Sequence, residues 1–367
     1  MPNGVCVEGI HHVEFYVANN VETAQFYERV LGFDILGSVS GAAALSDRSS
    51  IAVQRADIRL LLTAPLTTSS RVARHLALHG EGIKDIALHV RDVDGAFEAA
   101  TAAGAAAVSP PADDVIDRAA IRIAQIGTCG DLVHTLVSEP PSGRQWVSGV
   151  AGDQRRGNGP DTAVDAIDHI ALALPAGDLD RWVDFYVDGL GFRDTHQEQV
   201  STEFSAMRSR VVQSRNGAVR FPMMEPAPGK RISQIESYVQ HHHGAGAQHL
   251  ALRSRDIITS VSIMADGIQF LPTPRTYYAS LPARVGDLSS DLEALERHGI
   301  LVDRDATGIL LQVFTKPIGN RPTLFIEVIE RRGAEGFGSG NIKALFEAVE
   351  RMEHERLVNA ASREHAM

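Results

Sequence analysis

The chain repeats itself, and that repeat restricts the fold more than any other feature. Residues 9–33 read GIHHVEFYVANNVETAQFYERVLGF, and residues 166–192 read AIDHIALALPAGDLDRWVDFYVDGLGF. Each opens with a short apolar run that carries a histidine, His12 or His169. Each ends in FYxxxLGF: Phe26, Tyr27, Leu31, Gly32 and Phe33 in the first, Phe185, Tyr186, Leu190, Gly191 and Phe192 in the second. A second pair follows, because GEGIKDIALHVRD (80–92) and GAGAQHLALRSRD (244–256) share GxGxxxxALxxRD. The order of units is therefore A, B, A, B. Each unit leaves one sheet face to be covered, so the four must pack against one another.

Within each unit the pattern runs from strand to helix to further strands. The short apolar runs HHVEFYV, IRLLLTA, KDIALHV, LVHTLV, DHIALAL, AVRFPMM, QHLALRS, ILLQVFT and TLFIEVIE suit strands. SPPAD (109–113) and LPTP (271–274) read as proline turns. The expected fold class is α+β, with two domains each made of paired βαβββ modules. The first domain is 1–140 and the second 164–367. The linker is 141–163, a stretch rich in Gly, Pro and polar residues. The tail places Ile342, Leu345, Phe346 and Val349 at i, i+3, i+4 and i+7. This predicts a helix over 340–358 that closes a cavity, with Ser339 or Asn341 as its cap. GFGSGN (336–341) reads as the hinge before it.

Composition excludes several function classes. The net charge is −11, from 35 Lys and Arg against 46 Asp and Glu, which argues against a nucleic-acid partner. Two cysteines, Cys6 and Cys129, cannot build a disulfide framework. No leader-like segment opens the sequence and no apolar run is long enough to span a membrane, so a cytoplasmic protein is expected. GxSxG, GxxxxGK[ST] and CxxC motifs are absent.

Among the 15 histidines, two stand out. His169 and His249 open equivalent strands in consecutive modules. Glu327 lies in LFIEVIE among apolar neighbours, where a carboxylate needs a partner. Two imidazoles and one carboxylate form the facial triad of a non-haem Fe(II) site. The same donors suit catalytic Zn²⁺. A metal-free small-molecule binder on this fold is the reading from another class, and it leaves Glu327 without a purpose. In the first half the aligned positions, His12, Asp85 and His134, read as a lost site rather than a second centre. His241, His242 and His243 read as a solvated helix end.

At this level of detail a family likeness is visible. FSAMRSRVV, VRFPMMEP, SQIESYVQHHHGAGAQHLAL, LLQVFTKP, RPTLFIEVIER and GFGSGNIKALFEAVE resemble the 4-hydroxyphenylpyruvate dioxygenase and 4-hydroxymandelate synthase family of the vicinal oxygen chelate superfamily. The resemblance implies the glyoxalase-like fold and Fe(II) at His169, His249 and Glu327. It implies catalytic roles for Ser209, Gln248 and Gln312. It also implies a substrate pocket lined by Gln234, Phe314, Phe325, Met224, Pro222, Phe337, Asn341 and Ile342. The implied substrate is an arylpyruvate, with O₂ as co-substrate. No 2-oxoglutarate is needed, because the oxoacid is part of the substrate. A homo-oligomer, dimer or tetramer, is expected, with a non-catalytic first domain serving structure and assembly.

Two positions bear on the product. FPMMEP carries Met224 where homogentisate-forming members have Asn, and the last helix begins with Ile342 where they have Phe. Both departures are similar to hydroxymandelate synthase, whereas Pro222 is similar to the homogentisate-forming enzymes. Attack on the ring carbon gives homogentisate and attack on the benzylic CH₂ gives 4-hydroxymandelate. The expected preference is 4-hydroxymandelate, with homogentisate or another arylpyruvate product as the alternative.

Overall fold

The repeated motifs are helix punctuation. The structure, a computed structural model, describes residues 4–39, 46–116, 119–138, 146–147, 149–151, 159–286 and 291–344. The first half runs β1 (Val7–Tyr16), α1 (Asn20–Leu31), β2 (Asp34–Val39), β3 (Arg48–Arg55), β4 (Ile58–Pro65), α2 (Arg71–His79), β5 (Gly82–Val90), α3 (Val93–Ala102), β6 (Ala106–Ile116), β7 (Ala119–Gly127), β8 (Val133–Val137) and β9 (Val150–Ala151). The second half runs β10 (Val164–Ala173), α4 (Leu179–Leu190), β11 (Arg193–Ser201), β12 (Ala206–Gln213), β13 (Arg220–Ala227), α5 (Gln234–His242), β14 (Gly246–Ser254), α6 (Ile257–Met264), α7 (Arg275–Val285), α8 (Leu292–His298), β15 (Leu301–Arg304), β16 (Ile309–Phe314) and β17 (Phe325–Arg332).

FYxxxLGF ends α1 and α4. Gly32 and Gly191 sit in the left-handed region, at φ 73° and 70°. The next residue closes each helix, Phe33 N–H donating to Tyr27 O (3.1 Å) and Phe192 N–H to Tyr186 O (3.0 Å). This is the Schellman closure, which favours glycine at the turn and an apolar residue after it. The second motif starts α3 and α6. Its final Asp92 and Asp256 accept from the backbone N–H of Gly95 and Thr259, as N-caps do.

The two sheets have matching orders, β6-β7-β8-β5-β1-β4-β3-β2 and β15-β16-β17-β14-β10-β13-β12-β11, with β9 added at the β2 edge of the first. In each, two βαβββ modules meet along one antiparallel seam, β1 with β5 and β10 with β14. The expected α+β class of paired modules is therefore the observed fold. One apolar core spans both halves, running from Val13, Tyr27 and Phe33 to Tyr186, Phe192 and Val328.

Three expectations need correction. Pro110 and Pro111 are not in a turn; they lie within β6, at the edge of its sheet, where the ladder has register shifts. An edge strand tolerates proline because no ladder N–H is lost. The fourth module also carries α7 and α8, which the sequence reading omitted. Finally, Ser339 and Asn341 do not cap the last helix. Helical residues begin at 339, and Asp303 Oδ2 accepts from Gly340 N–H at 2.9 Å. Of the helix expected over 340–358, residues 345–358 lie outside the described residues, with Leu345, Phe346 and Val349 among them. So do 141–145, 148 and 152–158 of the expected linker. Among the described residues no helix is long and apolar enough to cross a membrane.

Candidate metal centre

Sheet register brings His169, His249 and Glu327 together. β14 runs between β10 and β17, and Ala251 pairs with His169 on one side and Glu327 on the other. Alternation along a strand puts His249 on the same face as Ala251. The methyl of Ala251 leaves the space above this row open, and the three donors converge over it. His169 Nε2 is 3.1 Å from Glu327 Oε2, His249 Nε2 is 3.4 Å from that oxygen, and the two imidazole nitrogens are 3.3 Å apart. All three side chains are buried.

These distances fit a metal. Bonds of roughly 2.1 Å put neighbouring donors about 3.0 Å apart on an octahedral face and about 3.4 Å apart on a tetrahedral edge. A carboxylate and two imidazoles this close and this buried need a cation or a proton among them. The charges already show this. Burial lowers the affinity of His169 for a proton, but the Glu327 and Asp168 carboxylates outweigh it and hold the ring pKa up to about 9. Burial pushes Glu327 upward, and the two histidines reverse this to about 2. Burial keeps His249 below the usual imidazole range. A divalent cation would take the place of that proton.

A second layer fixes the donors. A shift in the β10–β14 register between Ile167 and His169 brings Asp168 beside His169, and Asp168 Oδ1 lies 2.9 Å from His169 Nδ1. A carboxylate accepts, so Nδ1 holds the proton and Nε2 offers its lone pair. Arg331 grips Asp168 with two bonds of 2.7 and 2.8 Å. Gln312 Nε2 donates to Glu327 Oε1 at 2.8 Å, Asn341 Nδ2 donates to Gln312 Oε1 at 2.9 Å, and the Tyr277 hydroxyl donates to Asn341 Oδ1 at 2.8 Å. Asn341 is fully buried and links the last helix to the site. The backbone at Gly338, φ 73°, favours glycine, and a Cβ there would lie 2.4 Å from Gln312 Oε1, displacing that side chain.

The expected pocket residues fall into two groups. Phe325 stacks on His249 (4.8 Å between centroids), Phe314 meets the same ring edge-on at 6.4 Å, and Phe337 meets His169 edge-on at 5.5 Å. Gln248 Oε1 is 3.4 Å from His249 Nδ1. Met224 belongs to an apolar cluster with Ala171, Ala173, Met207 and Tyr238, against which Ile342 packs. Ala171 is the register partner of His249, so this cluster adjoins the triad. Ser209 pairs with Met224 across β12 and β13, and Pro222 is buried two residues earlier on β13. Gln234 is buried in the first turn of α5, beside Ile235 of the same cluster.

Sequence reasoning missed Asp168, Arg331, Tyr277 and Ala251. The signal for Asp168 was its place beside a strand histidine; Arg331 and Tyr277 gave none. Glu225 of FPMMEP faces away from this work: its Oε2 accepts from Gly177 and Leu179 N–H and so caps α4. His242 is buried rather than solvated, stacked between Tyr238 and His79.

Comparison with known proteins adds to the geometry. A model of the Glyoxalase/Bleomycin resistance protein/Dioxygenase superfamily matches residues 9–141 and 166–312. The chain is 37% identical to 4-hydroxyphenylpyruvate dioxygenase of Neurospora crassa, over 95% of this chain and 92% of that protein. It is 34% identical to the enzyme of that name from Dictyostelium discoideum, over 95% and 99%. Among solved structures it is similar to a triple mutant of 4-hydroxymandelate synthase from Streptomyces coelicolor, with TM-score 0.84, 33% identity and coverage of 95% and 99%.

Proposed function

The chain belongs to the 4-hydroxyphenylpyruvate dioxygenase and 4-hydroxymandelate synthase family of the glyoxalase superfamily, and we propose that it is an Fe(II)-dependent dioxygenase that oxidatively decarboxylates 4-hydroxyphenylpyruvate, with 4-hydroxymandelate as the favoured product. The reaction class rests on the family and on the converged His169, His249 and Glu327. The product assignment rests on one observation: Met224 and Ile342 pack in a single apolar cluster beside the triad.

Bound Fe(II) supplies the redox chemistry, activating O₂ toward a substrate that carries its own 2-oxoacid. The rest is positioning by this chain's residues. Asp168 holds the His169 tautomer, and Gln312 holds the Glu327 carboxylate, so neither donor turns away from the metal. Phe314, Phe325 and Phe337 wall the centre and exclude water. Gln234, Gln248 and Ser209 are the polar groups assigned to the substrate's oxygen atoms. Asn341 ties the closing helix to Gln312, so closure and carboxylate position are coupled.

The product follows from where the ring rests. An aliphatic Ile342 in place of an aromatic edge removes a ring contact of about 1 kcal/mol. Met224 in place of Asn removes a polar contact of similar size, about 1 kcal/mol. Either is enough to shift a product ratio about fivefold, since about 1.4 kcal/mol is a factor of ten. Pro222 and the names of the curated relatives favour the second reading, homogentisate.

The test is the product. Fe(II)-loaded protein is incubated with 4-hydroxyphenylpyruvate and O₂, without 2-oxoglutarate, and the acid formed is identified by mass spectrometry. The expected result is 4-hydroxymandelate. Homogentisate as the main product overturns the assignment, and turnover that requires 2-oxoglutarate or runs on Zn²⁺ overturns the mechanism. We assign the first half, residues 1–140, to structure and to assembly of a cytoplasmic dimer or tetramer, which sedimentation of the full chain checks.

A further inference from the structure

The described residues contain a second converging donor set, in the first half and unconnected to the first. His75 and His79 stand one turn apart on α2, and Asp131 comes from the loop between β7 and β8. One donor atom from each lies within 4.8 Å of the others. The spacing i, i+4 puts both rings on one helical face. Both histidines are buried, 7% and 5% exposed, while Asp131 reaches solvent.

Hydrogen-bond accounting shows what the cluster lacks. His79 Nδ1 lies 2.6 Å from His242 O. A carbonyl only accepts, so Nδ1 donates there, and a metal ligand's lone pair can come only from Nε2. That Nε2 is buried without a hydrogen-bond partner, yet Asp131 Oδ2 is 3.3 Å away. A cation placed between these two atoms would satisfy both. His75 Nδ1 sits 3.4 Å from the same oxygen, and His75 Nε2 is also buried and unpartnered. Lys84 is 3.8 Å from Asp131 Oδ2 and donates to the Asp131 carbonyl, offsetting part of the carboxylate charge. The two oxygen-to-nitrogen separations match the tetrahedral edge of about 3.4 Å that bonds of roughly 2.1 Å create.

We propose that His75, His79 and Asp131 form a second metal site that takes Zn²⁺ or a similar divalent transition ion, with solvent completing the coordination. Its role is structural. His79 holds the C-terminal end of α5 through His242 O, so an ion on its other nitrogen fastens α2 of the first half, the Asp131 loop and α5 of the second half together. Arg321 reinforces the same junction by donating to Leu78 O, Ala77 O and His241 O. A cavity of about 580 Å³, lined by His75, Asp131, Lys84 and Arg74, gives the ion a way in.

The site is tested by counting ions. Chelator-stripped full-length protein is dialysed against zinc, and bound metal is measured by mass spectrometry. The expected result is two equivalents, falling to one in Asp131→Asn and to one in Glu327→Gln. Loss of a direct ligand weakens zinc at this site by more than the 10- to 100-fold, approximately, that a second-layer change costs. Asp131 is exposed, so its variant folds; His79→Gln, checked by circular dichroism, repeats the test from the buried side. One equivalent in the natural chain, or two retained in Asp131→Asn, overturns the site and leaves an ordinary His79–Asp131 ion pair. If Glu327→Gln keeps both equivalents while Asp131→Asn loses one, the proposed active centre fails and this site stands.

Discussion

The two halves place different side chains at the same point of the same sheet. In the second half the row across the seam is His169, Ala251 and Glu327, with His249 two residues before Ala251. In the first half His12 pairs with Ala87, Asp85 pairs with Val133, and Leu88 pairs with Leu136. Thr135 therefore stands where Glu327 stands, and Asp85 where His249 stands. The expectation that His134 was the third member is corrected. His134 points to the other face, where Nδ1 donates to Ile86 O at 2.8 Å and the ring stacks on Phe221.

The difference lies in how the side chains at these equivalent positions are partnered. Asp85 Oδ1 accepts from Thr135 N–H at 2.9 Å, and Asp85 Oδ2 accepts from the Thr135 hydroxyl. His12 contacts His11 and packs at a tilt against Trp146, 5.3 Å between centroids. In the first half Asp85 and Thr135 satisfy one another, whereas the donors of the second half face a common point that could hold an ion.

Four substitutions break or sharpen this contrast. The largest effect is expected from Glu327→Ala, which removes a donor outright: oxygen uptake stimulated by Fe(II) should vanish, while Thr135→Ala in the first half leaves it intact. Retained uptake in Glu327→Ala would place the chemistry elsewhere.

Next is stability. Burial, with Glu14 adding to it, pushes the Asp85 pKa up to about 7 against the Thr135 bonds, from the usual 3.8. A carboxyl whose folded pKa is raised stabilises fully below the unfolded value, and loses that contribution as pH rises through the folded one. Asp85→Asn should therefore gain stability relative to the natural chain between pH 4 and 8, on the order of 4 kcal/mol at most. Melting temperatures across that range measure it, and parallel curves would refute the buried-carboxyl account.

Gln312→Ala frees Glu327 Oε1 and the Asn341 amide together. Metal affinity should fall about 10- to 100-fold, read by competition with a chelator, and the equivalent first-half change, Ile123→Ala, should leave it unmoved. The smallest effect is expected from Ile342→Phe, which restores an aromatic edge worth about 1 kcal/mol. It should move product toward homogentisate roughly five- to tenfold with iron content unchanged; an unaltered ratio would remove Ile342 from ring placement.

Much of this was legible because it is written locally. Helix ends depend on a few adjacent residues, so Gly32, Gly191, Asp92 and Asp256 announced the four modules. His169, His249 and Glu327 stood out because polar groups among β-strand apolar residues need a reason. What failed depends on pairing across the sheet. Taking His134 for Thr135 is a slip of one residue, and one residue turns a strand side chain to the opposite face. The prolines of β6 looked like a turn because only the sheet order shows that the strand is an edge. Asn341 looked like a cap because its fragment suits one; its partners, Gln312 and Tyr277, are distant in sequence.

The Schellman closures have a consequence for descent. FYxxxLGF instructs folding at the helix ends, while chemistry is written on the sheet face, and no residue belongs to both sets. A duplicated gene can thus lose its reaction in one copy by substitution at three positions and still fold both. Helix punctuation and metal donors can therefore change independently in the two halves.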